Sequence, residues 1–434
     1  MNDANHNPRI FLSAGEASGD HYGAAIITEL QARIPSATFI GLGGTAMEAA
    51  GQHRIVRAED VAHMGITEVL RHAPFIFTQY RKLVASLKRD RPALAILIDF
   101  PDVNFRLAKH CKRLGIPVLW FVSPQLWAWK RRRLRWVQQR VDRMLVIFPF
   151  EQAFYRNRQV NAEFVGHPLA TLPVPTCTRE QFAIAHMASN PSASKPSSHL
   201  DRPWIALLPG SRWKEVTANL PTMLEAAALL GPGYDILIPV ANTLKLEEVT
   251  RQIFDQILPR IQWPSGSSVT LVPEARAALH HARASIVASG TATVQALTIG
   301  NPFVVVYRVS QLTFAIAKRL IRYPAEIGDE ATLQDADGNL PIGMPNLIAG
   351  RRIVPELLNQ RFTAQNLAAA LRPLLEDTPA RTRMIADLAE TRARLQPDPT
   401  SNPIHRVCDT ALELLHSNSD GNPPSASNQQ HPKQ

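Results

Sequence analysis

The chain has 434 residues, 45% of them hydrophobic and 19% charged, a balance typical of a folded globular protein rather than a disordered or fibrous one. This length is enough for two domains of ordinary size, each with its own apolar core. The formal net charge of +10 at pH 7 favours an anionic partner, which is nucleic acid, an anionic membrane surface or a phosphorylated substrate.

The sequence also excludes several classes of protein. Cys111, Cys177 and Cys408 lie far apart and form no paired motif, which predicts a reducing compartment and no structural zinc site. The N-terminal residues lack the basic start and apolar core of a secretory signal. No segment supplies the roughly 20 uncharged apolar residues of a membrane span, so we expect a cytoplasmic protein that does not cross a membrane.

Short apolar runs rich in β-branched residues alternate along the chain with stretches of helical pattern. The predicted strands are Arg9–Ser13, Thr38–Leu42, Leu94–Ile98, Val118–Val122, Met144–Ile147, Glu163–Val165, Trp204–Leu208, Asp235–Ile238, Ser268–Val272, Ser285–Ala288 and Phe303–Tyr307. Continuous apolar strands that alternate with helices predict parallel sheets covered on both faces. The predicted fold class is therefore α/β, with two Rossmann-like, doubly wound parallel-sheet domains facing a cleft.

A segment dominated by Ser, Pro, Ala and Asn, residues 187–203, separates the two series of strands and is predicted to be a linker or surface loop. It places an N-terminal domain at 1–186 and a second domain at 204–375. Helices within 376–416 are expected to pack back on the N-terminal domain. The tail 417–434, rich in Asn, Ser, Pro and Gln, is expected to be disordered.

The first predicted strand leads into small and acidic residues, SAGEASGD at 13–20. Small residues between a strand and a helix let backbone amides approach a ligand. Glu16 and Asp20 would repel a pyrophosphate, so we expect sugar hydroxyls as the ligand here. The alternative is a tight turn in which Asp20 caps a helix.

Two carboxylates, Asp99 and Asp102, follow another predicted buried strand, in IDFPDVN at 98–104. This end of a strand faces the crevice in doubly wound sheets, and carboxylates are seldom buried without a partner. One of them can cap the following helix, which leaves the other to act as a general base. We predict Asp102 as the base because the proline turn projects it outward, with Asp99 as the alternative.

Two turns of the second domain carry the residue types that bind phosphate. In LPGSR, Gly210 permits close approach, Ser211 donates a hydrogen bond and Arg212 forks onto phosphate oxygens. The second turn opens a helix whose N-terminal amides and dipole favour an anion. Its small and hydroxylated residues are Ser289, Gly290, Thr291 and Thr293. Either motif alone is also compatible with an ordinary turn, whereas the pair predicts a nucleotide-binding domain.

Two segments combine aromatic and basic residues. The stretch 61–84 sets an apolar cluster beside cations, which favours a wedge for an anionic membrane surface, with an ordinary buried helix as the alternative. The stretch 127–140 interleaves tryptophan and arginine, which suits a lipid interface or single-stranded nucleic acid. The membrane-facing candidates are Phe75, Phe77, Trp127, Trp129, Arg131 and Arg132.

We predict no metal site. Asp335–Asn339 resembles part of a calcium loop but lacks the glutamate at the twelfth position, so it is predicted to be an exposed turn. His280 and His281 are neighbours that face different ways. His167, in VGHP, either contacts a ligand at the domain junction or caps a strand.

Taken together, these motifs resemble the lipid-A-disaccharide synthase family, in family order from Arg9 to about Leu375. The matching stretches are SAGEASGD (13–20), GLGG (41–44), MGITEVL (64–70), PDVNFRLAK (101–109), VSPQLWAWKRRR (122–133), FPFE (148–151), FVGHPL (164–169), LLPGSR (207–212), ASGTAT (288–293) and NLIAGRRIVPELL (346–358). Each motif is weak alone, but the ordered set is highly specific.

The resemblance implies a two-Rossmann glycosyltransferase of the GT-B type that holds UDP mainly in its second domain. It implies inverting transfer of 2,3-diacylglucosamine from UDP to 2,3-diacylglucosamine 1-phosphate through a β-1,6 link, with no cofactor or metal. It also implies a peripheral location on the cytoplasmic face of the inner membrane. No nucleic-acid partner is expected, because no RNA-reading motif appears and the basic residues cluster beside tryptophans.

The resemblance also assigns roles to residues. Asp102 would take the proton from the acceptor's 6-hydroxyl, and Arg212 would bind the leaving pyrophosphate. The residues expected on the acceptor side are Glu16, Ser18, Asp20, His21, Asp99 and His167. The nucleotide side would add Gln295 and Asn346 to the two turns of the second domain.

Two departures from the family pattern bear on the nucleotide side. Gln295 stands where the family commonly has Glu, so a ribose contact there would lose charge-assisted strength. An insertion at 323–343 precedes Asn346. The resemblance therefore does not fix whether Asn346 lies beside the nucleotide. The rival functions are another UDP-sugar enzyme of this fold, such as a UDP-N-acetylglucosamine epimerase or a murein-type transferase, and a non-catalytic nucleic-acid-binding protein.

Overall fold

The computed structural model describes residues 7–62, 73–187, 200–310, 314, 318–398 and 400–419. Most of the predicted linker, most of the C-terminal tail and part of the predicted membrane wedge lie outside these residues. The chain forms two compact units, one made of 1–168 and 396–434 and the other of 169–395.

The strands, in chain order, are β1 Arg9–Ala14, β2 Thr38–Gly43, β3 Gln52–Arg57, β4 Leu94–Ile98, β5 Val118–Phe121, β6 Arg143–Val146, β7 Ala162–Phe164, β8 Trp204–Leu208, β9 Asp235–Pro239, β10 Ser268–Val272, β11 Ala284–Ala288, β12 Phe303–Tyr307 and β13 Glu356–Leu358.

The helices are α1 Ala17–Arg33, α2 Thr45–Ala49, α3 Glu59–Ala62, α4 Ala73–Asp90, α5 Pro101–Arg113, α6 Leu134–Arg140, α7 Pro149–Arg156, α8 Arg179–His186, α9 Trp213–Leu229, α10 Leu246–Arg251, α11 Ala275–His281, α12 Thr291–Ile299, α13 Glu330–Leu333, α14 Met344–Ala349, α15 Ala364–Leu375, α16 Pro379–Ala393 and α17 Pro403–Ser419.

Each unit is built on one parallel sheet. The first has the order β3-β2-β1-β4-β5-β6-β7 and the second β10-β9-β8-β11-β12-β13. The direction of winding reverses between β1 and β4 in the first sheet and between β8 and β11 in the second. Ligands bind outside the carboxyl ends of the strands at such switch points. The α/β, doubly wound fold class predicted from the sequence is confirmed.

The central strands are apolar along their whole length because helices cover both faces of each sheet. All five residues of β4 and of β8 are buried. The edge strands β3 and β13 were not predicted. β3 carries polar residues at an edge and buries only Gln52 and Val56, and β13 has only three residues. Neither forms the apolar run that marks a central strand.

The unit boundaries differ from those expected from composition. Helix α8 lies before the Ser/Pro-rich segment but belongs to the second unit, where the Phe182 ring lies 5.9 Å from Trp204 and 5.4 Å from His281. At the other end, α16 packs within the second unit, against α12 and α15. Helix α17 packs in the first unit, against α1 and β4.

Candidate active site

The switch point of the first unit is formed by two tightly folded loops. The loop after β4 holds Asp99 and Phe100 in the left-handed region, at φ of 44° and 47°. Non-glycine residues in this region cost about 1–3 kcal/mol each and cluster at functional sites. The Phe100 ring packs over Gly15, in the loop after β1, where any Cβ would overlap the ring. A side chain at position 15 would therefore have to displace the Phe100 ring.

Asn104 ties these two loops together and was not identified from the sequence. It is fully buried. Its Oδ1 accepts a hydrogen bond from Ser13 Oγ at 2.6 Å, and its Nδ2 donates to the carbonyl oxygen of Asp99 at 2.7 Å. The same Nδ2 lies 3.3 Å from the carbonyl oxygens of Ser13 and Ile98. One amide side chain thus fixes the ends of β1 and β4 relative to each other.

The two candidate bases occupy different environments. Asp99 is half-buried, and burial, reinforced by the negative charge of Glu16, raises the pKa of its carboxyl to about 7. Asp102 is exposed in the first turn of α5, and its Oδ1 forms an ion pair with Arg133 Nη1 at 2.8 Å. A base works best when its pKa lies near the working pH. The Asp99 carboxyl therefore titrates near neutral pH, whereas the carboxylate of the predicted base Asp102 already has a cationic partner.

The Asp20 carboxylate forms hydrogen bonds within the protein. Its Oδ1 accepts hydrogen bonds from the backbone N–H groups of Gly44 and Met47, and its Oδ2 accepts one from Ala46. It thus satisfies the N-terminal amides of α2, which supports the helix-cap alternative rather than a contact with the acceptor. Of the other predicted acceptor residues, Glu16 and His21 are exposed and Ser18 is half-buried.

A buried carboxyl group organises the segment that follows β5. Glu151 Oε1 accepts hydrogen bonds from Ser123 Oγ at 2.6 Å and Trp127 Nε1 at 3.0 Å, and Oε2 accepts one from the Phe148 N–H at 3.1 Å. Burial raises the pKa of Glu151 to about 7. Trp127 is 1% exposed, so the prediction that it faces a membrane was wrong. The indole is held inside by its N–H bond to Glu151.

The other membrane candidates lie at the surface. Phe75 and Phe77 on α4 are 42% and 60% exposed, and Trp129 is 50% exposed. Arg131 and Arg132 are exposed as well.

His167 is 3% exposed, and its ring centroid lies 5.4 Å from that of Phe148. Burial lowers the pKa of the imidazole to about 3, so the ring is neutral at physiological pH. The side chain is buried beside Phe148, and the ligand contact at His167 stays a prediction.

The turn after β8 presents Ser211 and Arg212 at the switch point of the second unit. Gly210 has φ of 127°, where a Cβ would also overlap Glu215. Glu215 Oε2 accepts hydrogen bonds from the N–H groups of Ser211 at 3.0 Å and Arg212 at 3.3 Å. The Arg212 side chain is 67% exposed and lies 3.5 Å from Glu215. The Arg212 guanidinium therefore lies at the end of β8, next to a turn whose backbone favours glycine at position 210.

The turn after β11 lies beside it in the sheet, because β8 and β11 are paired. Gly290 has φ of 144° and is the N-cap residue that precedes α12, so the first amides of this helix point out of the strand end. Ser289 Oγ donates to the carbonyl oxygen of Ile342 at 3.4 Å. Thr293 is fully buried and bonds back to the Gly290 carbonyl at 2.7 Å. Thr293 therefore closes the turn, while Gly290 and Thr291 are exposed and Gln295 is half-buried.

Asn346 is fully buried, and its amide is saturated by the protein. Its Oδ1 accepts hydrogen bonds from the N–H groups of Ile353 and Val354, and its Nδ2 donates to the Val354 carbonyl and to Glu356 Oε1. The predicted contact between Asn346 and the nucleotide is contradicted, because no donor or acceptor of this amide is left for a ligand.

Glu356, which sequence reasoning missed, is the second member of this network. Its carboxylate accepts hydrogen bonds from the N–H groups of Ile342 at 2.8 Å and Gly343 at 3.0 Å, and burial raises its pKa. The network holds the end of the 323–343 insertion beside Ser289. Nothing in VPELL marks this glutamate as buried.

The calcium-like segment of the insertion is a turn. Asp335 Oδ1 accepts hydrogen bonds from the N–H groups of Asp337 and Asn339. Throughout the described part of the chain, no group of three His, Cys, Asp or Glu residues could hold a metal ion.

A model of the lipid-A-disaccharide synthetase family matches residues 10–398 of the chain. The lipid-A-disaccharide synthase of Acidobacterium capsulatum is 52% identical over 94% of this chain and 96% of its own length. That of Koribacter versatilis is 44% identical over 89% of this chain and 93% of its own length.

Two solved structures share the fold. The calicheamicin glycosyltransferase CalG4 superposes with a TM-score of 0.56 at 14% identity, over 95% of this chain and 99% of that one. The Anabaena protein HepE in complex with UDP-glucose superposes with a TM-score of 0.53 at 10% identity, over 94% and 99%. At these identities the likeness shows the glycosyltransferase fold alone. Among the described helices, none is both long and apolar enough to cross a bilayer.

Proposed function

The chain belongs to the lipid-A-disaccharide synthetase family, and from that premise we propose which of its residues perform the reaction. The enzyme transfers 2,3-diacylglucosamine from UDP to 2,3-diacylglucosamine 1-phosphate, which yields the β-1,6-linked disaccharide 1-phosphate and UDP. In chemical terms, the acceptor's 6-hydroxyl loses a proton, its oxygen bonds to the anomeric carbon, and the bond from that carbon to UDP breaks.

The first unit supplies the base in this proposal, and the base is Asp99. The support is its place at the switch point between β1 and β4 and a carboxyl pKa of about 7. Such a group is half ionised near neutral pH, so it can accept a proton from a hydroxyl and release it again. A positioned base typically contributes about 10²–10⁴-fold to the rate.

The second unit stabilises the negative charge that develops on the departing UDP. The proposed donors are Arg212, Ser211 and the first amides of α12 behind Gly290. Loss of one preorganised donor of this kind costs about 3–4 kcal/mol in activation free energy. Ser289 and Thr291 line the same strand end, and Gln295 lies one turn further along the helix. Thr293 and Asn346 hold the loops of this site in place without touching UDP.

We also propose that the enzyme is peripheral to an anionic membrane on its cytoplasmic face. Both substrates carry acyl chains, and the exposed Phe75, Phe77 and Trp129 offer apolar side chains to a bilayer surface. Replacing Phe75 and Phe77 by Ser should release the protein from phosphatidylglycerol vesicles without lowering its melting temperature. Unchanged vesicle binding would contradict the proposal.

The deciding experiment is UDP release with and without the diacylated acceptor. Asp99→Asn should lower kcat by at least about 10²-fold while UDP binding, measured by calorimetry, stays at the wild-type value. Arg212→Gln should weaken UDP binding and lower kcat together. Asp102→Asn is the matched comparison, because it removes a carboxylate three residues away. A larger loss of kcat in Asp102→Asn than in Asp99→Asn would reverse the base assignment.

UDP release that proceeds equally well without an acceptor would point instead to an epimerase-like or hydrolytic reaction on the same fold.

A further inference from the structure

The first unit has a basic turn immediately beside its switch point. Its residues are Lys130, Arg131, Arg132 and Arg133, of which the last three form a 3-10 turn that leads into α6. The turn follows β5, the strand next to β4 in the sheet. Lys130 is held in the left-handed region at φ of 53°. Its ammonium lies 4.0 Å from the centroid of the Trp129 ring.

Arg133 is the best-positioned cation of this turn. Its Nη1 bonds Asp102 Oδ1 at 2.8 Å, and its guanidinium carbon lies 5.5 Å from the centroid of the Trp136 ring. The side chain is 23% exposed. A guanidinium has five N–H donors in a fixed fork, and the bond to Asp102 uses one of its two terminal nitrogens. The group is thus oriented by two contacts while donors remain for an anion.

The chemistry of the acceptor indicates where its phosphate must lie. C1 of the acceptor sugar carries the phosphate, and C5 carries the hydroxymethyl group that is attacked by the donor. Both carbons are bonded to the ring oxygen. The base and the phosphate site therefore have to lie within the width of one sugar ring. Asp99 and Asp102 are three residues apart at the end of β4, and Asp102 contacts Arg133 directly.

We propose that the basic turn Lys130–Arg133 binds the phosphate at C1 of the acceptor, with Arg133 as the residue that gives preference for a phosphorylated acceptor. Asp102 then has a positioning role, because it orients Arg133 rather than taking the proton. This inference rests on the proposed function, in which Asp99 is the base. A membrane headgroup offers the same phosphate chemistry, so the test has to separate the two sources.

The test compares two acceptors in neutral detergent micelles, 2,3-diacylglucosamine with the 1-phosphate and the same sugar with a free anomeric hydroxyl. Arg133→Gln should raise the KM for the phosphorylated acceptor by about 10- to 100-fold, the size expected for a lost charged hydrogen bond. The kcat/KM for the unphosphorylated acceptor should change by less than about two-fold. Arg133→Lys, which keeps the charge without the fork, should recover part of the loss.

Two further variants sharpen this test. Asp102→Asn should shift the KM for the phosphorylated acceptor in the same direction with little change in kcat. Arg113→Gln removes an exposed cation from the other end of α5, about 18 Å from its start for twelve residues at 1.5 Å each, and should change neither acceptor's kinetics. Arg132→Gln, which removes an exposed side chain, gives a second probe of the turn if Arg133→Gln folds poorly.

Binding to phosphatidylglycerol vesicles tests the other source of phosphate, the lipid headgroups. Arg133→Gln should bind them as the wild type does. Equal losses of kcat/KM with both acceptors would overturn the proposal. A loss of vesicle affinity with unchanged kinetics in micelles would also overturn it, and would assign the turn to lipid headgroups. Failure of the proposed function would look different, since the wild type would then release no acceptor-dependent UDP with either sugar.

Discussion

Replacement of the buried Glu151 by glutamine is expected to destabilise the first unit by an amount that depends on pH. The carboxyl receives the Trp127 indole N–H on one oxygen and the Phe148 backbone N–H on the other. Whichever way the glutamine amide turns, its NH₂ group faces one of these two donors. A buried donor left without an acceptor costs about 1–3 kcal/mol.

The pH dependence follows from the pKa of the wild-type carboxyl, which burial raises from 4.5 to about 7. The native state then binds more protons than the unfolded state between these values, so its stability falls as pH rises through this window and levels off above it. A shift of this size is worth about 3 kcal/mol, at about 1.4 kcal/mol per pH unit. Ser123 can rotate its hydroxyl to accept the proton of the neutral form.

Glutamine does not titrate, so the stability of Glu151→Gln lacks the pH dependence that Glu151 gives to the wild type. The variant should be less stable than the wild type by about 1–3 kcal/mol at pH 5, and the deficit should shrink or reverse by pH 8. Urea unfolding followed at both pH values measures this. Glu413→Gln, which removes a half-exposed carboxylate from the same unit, is the control. A deficit that is equal at pH 5 and pH 8 would refute the reasoning, because it would mean that Glu151 does not titrate in this range.

Three more predictions concern groups placed by the fold. His167, whose pKa burial lowers to about 3, should make the wild type lose stability as pH falls below about 6.5, by up to about 1.4 kcal/mol per unit; His167→Phe should flatten that slope in thermal melts at pH 4–7. Gly210→Ala should weaken UDP binding, measured by calorimetry, and lower stability by about 1–3 kcal/mol, because Glu215 fills the space of a Cβ. Asp20→Ala should cost about 1–2 kcal/mol in urea unfolding, while the KM for the acceptor stays unchanged.

The parallel sheets could be predicted because strands buried on both faces must be apolar throughout. The predicted bounds of the strands that became β4, β8, β10 and β12 agree with those of the structure. The two strands that escaped prediction, β3 and β13, both lie at sheet edges, where one side has no neighbouring strand and polar residues are tolerated. The loops at both switch points could also be predicted, because small and polar residues that interrupt the apolar pattern mark the carboxyl ends of the strands.

The roles of individual polar residues could not be read in this way. Asp99 and Asp102 look alike in sequence. They are distinguished by the burial of Asp99 and by the ion pair of Asp102 with Arg133, 31 residues further along the chain. Asn346 resembles a ligand-binding amide until Glu356 and the backbone of 353–354 are seen to saturate it. Trp127 resembles an interfacial aromatic until its bond to Glu151 is known. Each outcome depends on a partner distant in sequence, which residue type does not reveal.

The position of α17 has a consequence for synthesis of the protein. Val407, Cys408 and Ala411 are fully buried in the first unit, yet they leave the ribosome after the whole of the second unit. Domains generally fold as units during synthesis, the N-terminal one first, but here the earliest unit stays incomplete until the last stretch of chain emerges. A nascent polypeptide stalled before residue 403 would leave apolar surface of α1 and β4 uncovered, a ready target for chaperones.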